Sequence, residues 1–206
     1  MTKAEKTKQF IIEQAAPIFN EKGIAGTTVD EVLAAANVAR GCLYNHFENK
    51  DALSYASVDY LLKRNDEKVI GAVEKGKTAK EKIHAYLNFS KNPLETHIAG
   101  GCPIFNLAVE ADDNNPIVKE KVKKTMISAH RYFSSILKDG IKSGEYIESL
   151  DASAFAYKLF AAVEGTILIC RVIGSAQPMQ SVIKNLKLEL QSFEVKVPNM
   201  RSEEVV

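Results

Sequence analysis

Apolar side chains recur along this chain at intervals of three and four residues, and no stretch alternates with period two for long. The pattern therefore predicts an all-α fold. A first helix is expected from about Lys3 to Lys22, with Phe10, Ile11, Ala15, Ile18 and Phe19 inward, a bend at Pro17 and a stop at Gly23. Val29, Val32, Leu33 and Ala36 mark the inner face of a short second helix. Leu43 and Phe47 mark that of a third, from about Ala39 to Phe47. A long fourth helix runs from near Asn49 to Lys75, carrying Leu53, Val58, Leu61, Leu62, Val69 and Val73. Ile83, Tyr86, Leu87 and Phe89 predict a fifth. A loop with Pro93, Gly100 and Gly101 separates it from a sixth, Pro103 to about Ala111. Asn115-Pro116 opens a seventh, with proline at the favoured first position. Asp151 caps an eighth through Ile173, Gln177-Pro178 opens the last, to about Lys196, and the tail from Pro198 is expected to fray.

The end signals around the second and third helices are the most specific. Thr28 and Glu31 stand at the spacing of a capping box, in which hydroxyl and carboxylate each take up a free amide. Asn37 tolerates left-handed backbone and ends the second helix. Val38 dips toward the core, and with Leu43 and Phe47 inward, Arg40, Gly41, Tyr44, Asn45 and His46 are left facing outward. Two helices joined by a short turn, the second displaying polar groups, form a helix-turn-helix, whose second helix enters the major groove of DNA. Such a unit followed by a long helical remainder predicts a DNA-binding switch.

Charge and composition sharpen this only in places. The chain has 206 residues and a net charge of +1. Within residues 1–64 the basic side chains Lys3, Lys6, Lys8, Lys22, Arg40, Lys50, Lys63 and Arg64 are matched by Glu5, Glu13, Glu21, Asp30, Glu31, Glu48, Asp51 and Asp59. Phosphate affinity must then come from placement rather than from net charge, with Lys50, His46, Tyr44 and the N-terminal lysines lining one face. Cys42, Cys102 and Cys170 have no CxxC spacing, and no signal peptide opens the chain, so a reduced cytoplasmic protein is expected. Lys158 and Glu164 interrupt the nearest approach to a membrane span, residues 152–173, which reads instead as a buried interface helix.

One motif points to other chemistry. Gly71-Ala-Val-Glu-Lys-Gly-Lys-Thr78 fits the phosphate-cradling P-loop, with Lys77 on the phosphates and Thr78 on magnesium. The charged, helically periodic residues before Gly71 supply no strand to hold such a loop, and Thr78 with Glu81 makes a second capping box. A helix end, a glycine linker and a cap are expected there, and no enzyme. His84, His97 and Cys102 match no compact metal site, and no cofactor is expected. Cys102 stands just before a helix start, where the dipole would lower its thiol pKa. For it and for Cys42 packing is the favoured role over redox sensing.

Phe19-Asn-Glu-Lys-Gly23, Gly26-Thr-Thr-Val29 and Leu43-Tyr-Asn-His-Phe47, followed by Asn49-Lys50 and Leu53, resemble the TetR/AcrR-type transcriptional repressors. The resemblance is specific over residues 8–53. Ala39 and Asn37 depart from it, since the family has Ser or Thr and Gly there, and Ala39 forfeits a cap worth about 1 kcal/mol. It implies a helix-turn-helix domain over residues 1–48, a helical ligand-binding and dimerisation domain over 49–197, and a disordered tail over 198–206. It further implies a homodimer on a palindromic DNA operator and an unidentified small-molecule inducer. Thr27, Thr28, Arg40, Gly41, Tyr44, Asn45, His46 and Lys50 would contact the DNA, with Thr28, Tyr44 and Lys50 on phosphates and Arg40, Asn45 and Gly41 toward base edges.

Gly101–Ala111 also resembles the inducer-domain segment of one branch of that family. Phe105, Asn106, Val109 and Glu110 on that helix, with Tyr86, Phe89, Met126, His130, Phe133 and Tyr157, are candidates for a cavity suited to a largely apolar ligand, or else core filling. The helix 152–173 and the last helix are apolar on most sides and must be buried on most sides. Phe155, Leu159, Val163, Ile167, Val182, Ile183, Leu186 and Leu190 are the expected contacts. In the resembling family these two helices pair with their copies in a four-helix bundle.

Overall fold

Three threonines start helices by the same reciprocal device. Thr2, Thr28 and Thr78 each accept a bond from the backbone N–H three residues on, and Glu5, Glu31 and Glu81 there accept one from the threonine's own N–H. In the computed structural model, which describes residues 1–196, these caps open α1 (Lys3–Gly26), α2 (Val29–Ala36) and α5 (Ala79–Phe89). The side chains of Asn49, Asn115 and Asp151 cap α4 (Lys50–Val73), α7 (Pro116–Lys142) and α8 (Ala152–Ile173). The remaining helices are α3 (Arg40–Tyr44), α6 (Pro103–Ala111) and α9 (Gln177–Ser192). The expected tail over 198–206 lies outside the described residues.

The first helix departs from expectation at its end. Pro17 sits at helical dihedrals, whereas the chain kinks at Gly23, whose φ of 77° suits only glycine without strain, and then resumes to Gly26. Asn37 does end α2 in left-handed geometry, with φ 49° and ψ 48°.

Two apolar cores hold the helices together. The first joins Ile11, Ala15 and Phe19 of α1, Val32 of α2, Leu43 and Phe47 to Leu53, Val58 and Leu61 of α4, and continues into Ile104 and Leu107 of α6 and Val118 of α7. It thus runs across residue 49, binding the helix-turn-helix to the helices that follow. The second joins Val73, Ile83 and Leu87 to Phe133 and Leu137 of α7, Phe155, Leu159 and Val163 of α8, and Leu186 and Leu190 of α9. Its far end is closed by Glu145, whose carboxylate accepts from the amides of Ala79 and Lys80, and by Ile147 and Val195, whose amides donate to Phe193 and Glu145 carbonyls.

Gly71–Thr78 is no phosphate loop. Gly71 lies within α4, the segment after it is a turn, and the amides of Lys77 and Thr78 donate to the Glu81 carboxylate at 2.7 and 3.3 Å. The donors a phosphate would need are taken by the capping box. No helix among the described residues is long and apolar enough to cross a membrane.

Candidate nucleic-acid interface and ligand cavity

The α3 helix is built from the inside outward. Leu43 is fully buried and Phe47 nearly so, which fixes the helix against α1 and α4 and turns Arg40, Gly41, Tyr44 and Asn45 to solvent. Ala39 makes no side-chain cap, and the regular helix spans only five residues, Arg40–Tyr44, shorter than the expected Ala39–Phe47. The amides of His46 and Phe47 still donate to the Leu43 carbonyl, so the last turn is carried on less regularly. His46 and Lys50 are half-buried. Arg40 is tied to Asp30 at 2.5 Å, an exposed pair it can exchange for a base or phosphate at little cost. The N-terminal lysines stand on helix α1, and the Lys8 ammonium lies 5.4 Å from the centre of the Phe47 ring.

Thr27 is the exception among the expected DNA contacts. It is buried, and its hydroxyl donates to the Gly23 carbonyl at 2.7 Å, mending the bond that the kink breaks. Thr28 is exposed, with its hydroxyl in the capping box. Glu31 of that box also binds Lys22 of α1, and the Lys22 and Thr28 bonds bring its carboxyl down to about 2.

A cavity of about 170 Å³ opens between α4, α5, α6, α7, α8 and the loop 90–101. Of the expected residues Tyr86, Phe89 and Phe133 line it. The other seven do not. Asn106 donates to the carbonyls of Asn20 and Gly100, and Glu110 accepts from the amides of Ile24 and Ala25 at 2.9 and 2.8 Å. His130 stacks on Tyr157 at 3.7 Å, outside the cavity. Val109 is exposed, while Phe105 and Met126 are partly buried away from the lining. Reasoning from the sequence missed Asp66, His97, Tyr132, Phe160 and Glu164, of which Glu164 alone carries a signal, a carboxylate within an apolar run.

Cys102 lines the cavity too, but its thiol is not activated. Burial pushes it well up, and the nearby Glu164 carboxylate adds to this, against the lowering expected of a helix start. No cluster of metal-ligating side chains occurs among the described residues.

Two routes lead from the cavity to the DNA-binding unit. The α4 helix lines the cavity through Asp66 and Val69 and packs on α1 further up. The α6 helix starts at the cavity with Cys102 and Ile104 and ends on α1 with Glu110. Between them, the Asn20 side chain donates to the Ala99 and Gly101 carbonyls.

Of the residues expected between subunits, Phe155, Leu159, Val163, Leu186 and Leu190 are buried inside this one, Ile167 lines the cavity, and Val182 and Ile183 pack partly buried on the second core. The inward period of both helices is satisfied by the subunit's own core. The outward apolar strip is a different one: Tyr157, Leu168, Ile169, Val172 and Ile173 on α8, with Leu188 on α9.

Known proteins bear out the architecture. Residues 11–56 match the family described as bacterial regulatory proteins, tetR family, and residues 79–186 match the tetracyclin repressor-like C-terminal domain. The HTH-type transcriptional repressor DhaR of Mycobacterium sp. (strain GP1) is 23% identical over 85% of this chain and 88% of its own. The HTH-type transcriptional regulator YhgD of Bacillus subtilis is 32% identical over 76% and 81%. A TetR-family transcriptional regulator from Cytophaga hutchinsonii superposes with a TM-score of 0.88, at 32% identity over 96% of this chain and 99% of that one. With its C-terminal match alone spanning 79–186 of 206 residues, this chain belongs to the TetR family of transcriptional regulators, DNA-binding proteins rather than enzymes.

Proposed function

We propose that the protein is a cytoplasmic repressor that holds a palindromic operator as a homodimer and lets it go when a small, largely apolar inducer enters the cavity. The observation that carries this reading is that α4 and α6 both wall the cavity and both pack on α1, so a ligand that reseats either one reorients the helix-turn-helix. Two α3 helices about 34–36 Å apart, or somewhat more, would meet successive major grooves. Thr28, Tyr44 and Lys50 hold phosphates, while Arg40, Asn45 and the side-chain-free Gly41 approach base edges. A coupling of about 1–3 kcal/mol between the sites lowers operator affinity by roughly 5–150-fold.

The test is retardation of the DNA flanking the protein's own gene, at several salt concentrations. Arg40→Ala is expected to lower discrimination between operator and unrelated DNA. Lys50→Ala is expected to weaken binding to all sequences alike and to reduce the salt slope by about one. Equal, sequence-independent losses from both changes would refute that division of roles, and no retardation at low ionic strength would refute the reading itself.

A further inference from the structure

Glu164 lies midway along α8, 8% exposed, and lines the cavity. Its Oε2 has no hydrogen-bond partner. The Cys102 thiol is a weak donor to this carboxyl and answers only a fraction of its capacity. A buried carboxylate left so is costly unless something brings it a donor or a charge. The rings of Tyr86, Phe89, Tyr132, Phe133 and Phe160 line the same cavity, and an aromatic face offered to a cation attracts it. Among the lining side chains the carboxylates Asp66, Glu95 and Glu164 outnumber the basic groups, the Lys68 ammonium and the His97 imidazole. The volume of about 170 Å³ compares with the roughly 150 Å³ apolar cavity that accepts benzene.

We propose that the cavity is a receptor for a small hydrophobic amine, an apolar body about one aromatic ring in size whose ammonium group pairs with Glu164. This deepens the reading of the cavity as the inducer site and rests on it. The ring packs among the aromatic side chains, and the ammonium gives the Glu164 carboxylate the donor it lacks.

A matched series of probes decides the matter by calorimetry on the full chain near neutral pH: 2-phenylethylamine, 2-phenylethanol and 3-phenylpropionate. The amine is expected to bind at least about tenfold more tightly than the alcohol, as a charge-assisted bond to a buried group requires, and the carboxylate more weakly than either. Glu164→Gln is expected to erase the amine's advantage while leaving the alcohol within about twofold, with circular dichroism checking the fold. The charge series on the unaltered protein decides the proposal even if that variant does not fold. Equal binding of amine and alcohol, or preference for the carboxylate, overturns the amine and leaves the cavity a ligand site. Binding of none of the three overturns both.

Discussion

Glu164 and Glu110 are acids of the same chain with opposite surroundings. Glu110 finds two backbone amides, whereas Glu164 finds a thiol and aromatic rings. Burial pushes the Glu164 carboxyl above the ordinary carboxylate range, and the Cys102 thiol only partly opposes this. A carboxyl whose pKa rises on folding holds its proton more firmly in the folded state, so it supports the fold fully below the unfolded value. That support is lost as pH climbs through the folded one. Glutamine has no proton to lose. The melting-temperature difference, Glu164→Gln minus the unaltered protein without ligand, should therefore become more positive from about pH 5 to about pH 8. An unchanged difference across that range would mean that Glu164 finds a partner in solution.

At the scale of elements, the junction of α1 with α6 joins the two halves of the molecule. Gly23 kinks α1 and frees the amides of Ile24 and Ala25, which then meet the Glu110 carboxylate. Hydrogen bonds to a charged group contribute about 1.5–3 kcal/mol together with the cost of orphaning their donors. Glu110→Ala is expected to lower the unfolding free energy by that order, seen as an earlier urea midpoint, while binding of 2-phenylethylamine persists, since Glu110 lies outside the cavity. An unmoved midpoint would sink this account of the junction. The capping boxes at Thr28 and Thr78, the left-handed Asn37 and the inward pair Leu43 and Phe47 were all legible in the sequence, because each is decided within four residues. Glu110 was not, since its partners stand more than 80 residues away and only the kink at Gly23 makes them free. Little of the cavity was legible: Tyr86, Phe89 and Phe133 follow from helical period, seven other candidates lie outside it, and the wall made by loop 90–101 has no period to read.

At the scale of the whole molecule, the proposed homodimer needs a surface that meets a second copy. Helical period alone could not separate two apolar faces of α8, and the residues it favoured, Leu159 and Val163 among them, fill the subunit's own second core. The outward strip is left over: Val172 is 78% exposed and Ile173 64%, with Leu168 and Ile169 beside them. Exposed apolar side chains grouped on a helix are costly unless covered, and in the proposed homodimer a two-fold pairing of α8 and α9 would cover them. Two substitutions then separate the faces. Leu159→Ala removes a fully buried side chain and is expected to cost about 2–5 kcal/mol of subunit stability, seen as an earlier denaturation midpoint. Val172→Glu touches no core, so it should leave the subunit's helical spectrum intact yet shift its mass in sedimentation equilibrium from dimer to monomer. Operator binding should fall with it, because one α3 helix alone grips a single half-site. If Val172→Glu stays dimeric and holds its DNA undiminished, the pairing surface lies elsewhere on the body.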